Sequence, residues 1–181
     1  MNRFAVIDTE TTWSGALMTV GVLVVDAHSF TVLDQSYYII NEAENEGGMY
    51  SNVVHMSGIE EKNVPYDAIG QTVHSYLSSH GISSIFAYNA SFDKNVLPYL
   101  SFYKWRDIMR LAAYKQFNSA ITDNYKCFQT GKLKSGYGVE NILRMLGRAN
   151  YCETHNALHD AEDELEIMRL LGHPASMYPE I

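Results

Sequence analysis

The chain has 181 residues, 46% hydrophobic and 19% charged, which suits one compact domain spanning residues 1–181 with a sizeable core. Its net charge of −8 argues at first against a nucleic-acid partner, although two divalent cations held by four of its acids would halve that charge. No apolar run approaches the roughly 20 residues of a membrane span, and no basic start with an apolar run behind it marks a leader. Cys127 and Cys152 form no CxxC pattern, so a reduced, cytoplasmic protein without a membrane partner is expected.

In chain order, Phe4 to Ile7 reads as a strand buried on both faces, because its four apolar residues do not alternate with polar ones. It runs into Asp8-Thr9-Glu10, followed by a loop over Thr11, Thr12, Trp13, Ser14 and Gly15. Leu17 to Val25, Phe30 to Leu33 and Tyr37 to Ile40 read as neighbouring strands. Residues 41–52 are acidic and aperiodic and read as a loop, and 55–59 as a turn. Pro65 suits a helix start, with Ile69, Val73, Tyr76 and Leu77 as its apolar stripe and Gly81 as its stop. Ile85 to Tyr88 reads as a further buried strand, followed by a helical stretch from near Asp93 to about Leu100 and another over Arg106 to Gln116. Residues 118–136 are polar and glycine-containing. Val139, Ile142, Leu143 and Leu146 mark a helix stopped by Gly147, and a last helix covers about Asn156 to Leu171. Early strands followed by alternating strands and helices predict an α/β domain, a mixed sheet flanked by helices.

Three places carry chemistry. If the first strand stays extended to residue 10, Asp8 and Glu10 share one face at its end. Two carboxylates side by side repel, and hard divalent cations such as Mg²⁺ or Mn²⁺ are the natural counter-charge. Alone, the pair also fits a strand end running into a loop. Asp93 follows a buried strand, and strand ends in α/β sheets are where ligands bind. Asp93 also fits a helix cap, and Asn89, four residues earlier, a turn. His155 and Asp160 are five apart, about 140° on one helix, so both reach one pocket only if His155 sits on the loop before it. An imidazole there suits proton transfer at neutral pH. Together these parts describe metal-assisted phosphodiester hydrolysis. Asp8, Glu10, Asp93 and Asp160 hold two Mg²⁺ or Mn²⁺ ions roughly 3.5–4 Å apart, and His155 accepts the proton of the attacking water.

Asp8-Thr-Glu10, Asn89-Ala-Ser-Phe-Asp93 and His155-x4-Asp160 occur in the order and spacing of the DEDDh family of 3′–5′ exonucleases, which the chain resembles over most of its length. The resemblance implies a ribonuclease-H-like fold with a five-stranded mixed sheet and helices on both faces. It implies release of nucleoside monophosphates from single-stranded ends, with Asp8, Glu10, Asp93 and Asp160 as metal ligands and His155 as general base. Backbone near Thr11 and Thr12, with Thr9 and Asn89, is implied to hold the 3′-terminal nucleotide. The implied partner is nucleic acid with a free 3′ end. A homodimer is also expected, because dimers occur among relatives; a polymerase or repair partner is not specified. Tyr88 stands where many relatives have His, and Thr19 where many have Glu or Gln. Both departures bear on how the terminal base or sugar is held.

Trp13 fits stacking on a terminal base or covering a sheet edge, and His55 a turn near substrate or a structural turn. Lys126, Lys132 and Lys134, interleaved with Tyr125 and Phe128, fit a phosphate track or a solvated loop; Lys94 fits a phosphate partner or an exposed helix residue. Three other readings compete. His155 and His159 are four apart, as in zinc sites, but Asn156 stands where the zinc-protease motif has Glu. A phosphatase using Asp8 as nucleophile wants Asp at position 10. A non-catalytic nucleic-acid-binding module on the same fold would need none of the five chemical groups.

Overall fold

A computed structural model describes residues 2–181; Met1, part of the expected single domain, lies outside the described residues. The strands are β1 (Arg3–Thr11), β2 (Leu17–Asp26), β3 (Val32–Ile40), β4 (Glu61–Val64), β5 (Ser84–Ala87) and β6 (Lys104–Asp107). The helices are α1 (Asn41–Glu44), α2 (Ile69–Ser79), α3 (Ser91–Val96), α4 (Met109–Ala112), α5 (Val139–Met145) and α6 (Ala157–Leu171). The described strands form one mixed sheet in the order β4-β3-β2-β1-β5-β6. β1, β2 and β3 run antiparallel to their neighbours in the meander, while β4 joins β3, β5 joins β1 and β6 joins β5 in parallel.

Phe4, Ala5, Val6 and Ile7 are fully buried, as a central strand covered on both faces requires. α6 packs across β1 and β2, and α5 packs on α6. This is the ribonuclease-H-like α/β arrangement, with six strands instead of five. Phe30–Leu33 and Tyr37–Ile40 are not separate strands. Exposed Leu33, Asp34 and Gln35 interrupt the apolar pattern, yet the ladder to β2 continues through Asp34 and Gln35. β4 was silent in the sequence because it is a short, mostly polar edge strand. β6 replaces the first part of the helix expected over 106–116. Arg106 pairs with Phe86 in the sheet, and helix spans only Met109–Ala112. The helix after Pro65 begins later, at Ile69, and the expected loop opens with α1. Among the described residues no helix is long and apolar enough to cross a membrane.

Candidate active site

β1 delivers the first two acids. Asp8 lies opposite Gly21, Glu10 opposite Thr19, and a register shift after Glu10 ends the regular pairing. Alternation along the strand puts both carboxylates on one face. α6 begins directly over that stretch. A Cβ at Gly21 would lie 2.1 Å from the Ala157 carbonyl oxygen, closer than any real contact. Only a residue without a side chain lets the helix start come down onto β2 beside Asp8.

The helix start is held by Asn156. Its Oδ1 accepts the backbone N–H of Leu158 at 3.1 Å and of His159 at 3.5 Å, capping α6. Its Nδ2 donates to the Tyr37 hydroxyl at 3.0 Å and the Val53 carbonyl at 2.8 Å. The cap thus ties α6 to β3 and to the 51–53 turn. His155 precedes the cap on the loop, with φ of +60°. A non-glycine residue in that region carries strain that the surroundings must hold in place. The imidazole stacks on Tyr50, ring centroids 3.9 Å apart and planes 14° from parallel. Ligand-capable atoms of Glu10, His155 and Asp160 lie within 4.8 Å of one another. The loop-before-helix placement that the five-residue spacing demanded is therefore met.

Asp93 enters from α3 and is 2% exposed. The Thr9 hydroxyl donates to its Oδ1 at 2.7 Å. Thr9, expected beside the substrate, is buried on the far side of the β1 alternation and orients Asp93. The turn carrying Asp93 is held by a residue that sequence reasoning missed, Asp107 at the end of β6. Its Oδ1 accepts the backbone N–H of Asn89 at 3.1 Å and of Met109 at 3.0 Å. Asn89 is exposed, with φ of +59°, so its backbone makes the turn. A second missed acid is Glu164, one helical turn beyond Asp160 and buried. Its signal was an acid on the apolar stripe of α6. A third, Glu153, acts electrostatically on Glu10, Asp160 and His155.

Asp8 and Asp93 stand outside the group of Glu10, His155 and Asp160 and are linked to it by their charges. Burial first, then Asp93, Glu164, Asp160 and Glu10, pushes Asp8 well above the usual carboxylate range. Burial and then the neighbouring Asp160 raise Glu10 to about 8. Burial, and then Glu153, raise Asp160 to about 7 even though backbone N–H groups of His155 and Asn156 favour its charge. Burial raises Asp93 to about 7 against the opposing hydrogen bonds from Thr9. Asp160 Oδ1 has no hydrogen-bond partner among the described residues. Carboxylate oxygens crowded together, one of them without a partner, fit hard divalent cations such as Mg²⁺ or Mn²⁺.

The remaining expected residues scatter. Thr11 is half-buried at the end of β1. Thr12 is buried, its Oγ1 bonded to the Ser14 hydroxyl at 3.0 Å and to the Ala16 N–H at 3.2 Å. Trp13 is 70% exposed, so it covers no sheet edge. His55 lies before β4, its Nδ1 2.9 Å from Glu61 Oε2. The Tyr88 hydroxyl donates to the Tyr137 carbonyl, linking β5 to the segment before α5. Thr19 is buried opposite Glu10. Lys94 donates to the Ile181 carbonyl at 3.0 Å. Lys132 and Lys134 lie over the rings of Tyr137 and Phe128. His159 pairs with Glu162 at 3.0 Å, and it stands outside the Glu10–His155–Asp160 group, so the two-histidine zinc face does not form.

The fold is shared with solved exonuclease structures. The chain matches the nuclease domain of 3′hExo bound to rAMP with a TM-score of 0.68 at 13% identity, covering 99% of this chain and 96% of that one. It matches E. coli exonuclease I in complex with a dA16 oligonucleotide with a TM-score of 0.65 at 17% identity, covering 98% of this chain but only 42% of that one. A 3′-exonuclease bound in 3′-end-specific recognition of a histone mRNA stem-loop gives 0.65 at 14% identity, covering 99% and 70%. No family model matches the sequence, and no curated protein matches it.

Proposed function

We propose that the chain is a metal-dependent 3′–5′ exonuclease of the DEDDh family, acting on single-stranded 3′ ends. The observation that carries this reading is the meeting of Glu10, His155 and Asp160, from opposite ends of the chain, within 4.8 Å. Asp8 and Asp93 act on the same cluster. Asp8, Glu10, Asp93 and Asp160 would hold the cations. Two bound Mg²⁺ or Mn²⁺ ions would supply an acidified water and neutralise charge on the leaving 3′ oxygen. His155 takes the proton of the attacking water. The water oxygen bonds to phosphorus, the bond from phosphorus to the 3′ oxygen breaks, and a nucleoside monophosphate leaves. Tyr50 holds the plane of the imidazole. Thr9 and Asp107 hold Asp93 and the turn before it.

The neighbours' ligands, an adenosine monophosphate, an oligodeoxynucleotide and an RNA stem-loop, support a nucleic-acid partner with a 3′ end. Trp13, exposed just beyond Glu10, offers a stacking face for the terminal base, with backbone near Thr11 and Thr12 and the exposed Asn89 beside it. We place the protein in the cytoplasm as one domain over residues 1–181; two unpaired cysteines support a reducing compartment. A homodimer is part of the reading, and light scattering tests it. The decisive assay uses a 5′-labelled oligonucleotide, DNA and RNA in parallel, with Mg²⁺ or Mn²⁺. A ladder shortening from the 3′ end is expected. Internal cuts alone, or no products, would reject it.

A further inference from the structure

α6 presents two acids where its neighbours on the same stripe are apolar. Ala157, Asp160, Ala161, Glu164, Leu165 and Met168 are all buried. This is the spacing of a core-facing stripe, and like charges four apart on one helix repel. Asp160 belongs to the motif read from the sequence; Glu164 does not.

Glu164 is 2% exposed. The Tyr88 backbone N–H, at the end of β5, serves its carboxylate. Its Oε2 has no hydrogen-bond partner among the described residues. The charged groups acting on it are Asp93 from α3, Asp160 from its own helix and Asp107 from β6, and it acts in turn on Asp8 of β1. A carboxyl group buried with one oxygen unserved, among other carboxyl groups, is costly as an anion unless a proton or a cation neutralises it. Glutamine would fill the same volume without that cost, so the choice of an acid points to a ligand.

We propose that Glu164 is a fifth carboxylate of the divalent-cation cage, entering it from the buried α6 face that it shares with Asp160. This rests on the cation-binding reading above. Glu164 takes up an ion either directly or through a coordinated water, and its helix links that ion to Asp160 one turn earlier. Residues that support metal ligands in this way typically change affinity 10–100-fold when replaced.

The test needs no substrate. Metal-free protein is titrated with Mn²⁺ by calorimetry, with free Mn²⁺ followed by electron paramagnetic resonance. Wild type, Glu164→Gln and Asp160→Asn are compared, and folding is checked by circular dichroism. The expected result is two ions on wild type and at least about tenfold weaker binding of one of them in Glu164→Gln. The melting temperature gained on adding Mn²⁺ should shrink in parallel. If Glu164→Gln does not fold, Glu164→Asp, which keeps the charge but withdraws it by one methylene, is read in the same way. A Glu164→Gln isotherm equal to wild type overturns the inference, whatever happens to the metal-free melting temperature. If Asp160→Asn loses Mn²⁺ while Glu164→Gln does not, the inference alone fails. If wild type takes up no Mn²⁺, the cation-binding reading fails with it.

Discussion

Gly21 in β2 and Ala157 at the start of α6 are in backbone contact, so that a Cβ on Gly21 would stand 2.1 Å from the Ala157 carbonyl oxygen. That contact brings a helix from the far end of the chain onto the strand paired with Asp8. Gly21→Ala must push the helix start away. We expect a loss of about 3 kcal/mol, the upper range for overpacking, read by denaturant unfolding. Activity should fall further than stability, because His155 and Asp160 move with the helix. Unchanged stability would mean that the contact relaxes easily.

Asp8→Ala, Asp160→Ala and His155→Ala should each abolish or nearly abolish exonuclease activity. For His155→Ala the loss should be about 10²–10⁴-fold, the usual contribution of a general base. In EDTA, Asp8→Ala and Asp160→Ala should melt no lower than wild type, since each removes one charge from a repelling cluster. A large fall in melting temperature would make the residue structural instead.

The acids of the cage make metal-free stability depend on pH. Glu10 is raised from 4.5 to about 8, and Asp93 and Asp160 from 3.8 to about 7. Between those values the folded state binds more protons than the unfolded one. Stability is therefore full near pH 4 and is lost as pH rises through about 7 to 8. Differential scanning fluorimetry in EDTA should show a melting temperature falling from pH 5 to pH 8. Saturating Mn²⁺ should remove most of that fall, because the ion replaces the protons. A metal-free protein that gains stability over this range would contradict the proposed cage.

Asn156→Ala removes a helix cap and leaves the Val53 carbonyl without that donor. A cost of about 2–3 kcal/mol is expected, one part for the cap and the rest for the buried oxygen. The measurement is urea unfolding, and kcat should drop as His155, the adjacent residue, loses its fixed position. Asn156→Asp should recover the cap but not the donated bonds.

Tyr50 stacks on His155, and aromatic stacking is worth about 0.5–1.5 kcal/mol. Tyr50→Ala should lower kcat about two- to tenfold with little change in thermal stability. Tyr50→Phe should restore it, because the ring is what holds the imidazole. Failure of Phe to rescue would shift the role to the hydroxyl.

The five acid–base residues were legible in the sequence because each sits where local rules speak. Asp8 and Glu10 share a strand face by period two, Asp93 follows a buried strand, and Asp160 follows a helix cap. His155 was legible only as a constraint: five residues from Asp160, it had to lie off the helix, and its φ of +60° is how the chain puts it there. β4 and β6 were not legible, since short strands with polar residues take their identity from the neighbour they pair with. Asp107 and Glu164 were missed, and the bond from Thr9 to Asp93 was not foreseen, for the same reason. Their roles depend on which carboxyl or N–H tertiary packing sets beside them.

By itself the sequence determined the identity of the acids and the histidine, their order, and the periodicity that makes a buried strand end in two carboxylates. Only the tertiary structure decided that α6 lies on Gly21, that Asn156 and Tyr50 hold the helix start and the imidazole, and that Glu164 is buried on the same face of α6 as Asp160. Periodicity is a property of neighbours along the chain, whereas convergence depends on close approach between segments more than a hundred residues apart, which no local pattern encodes.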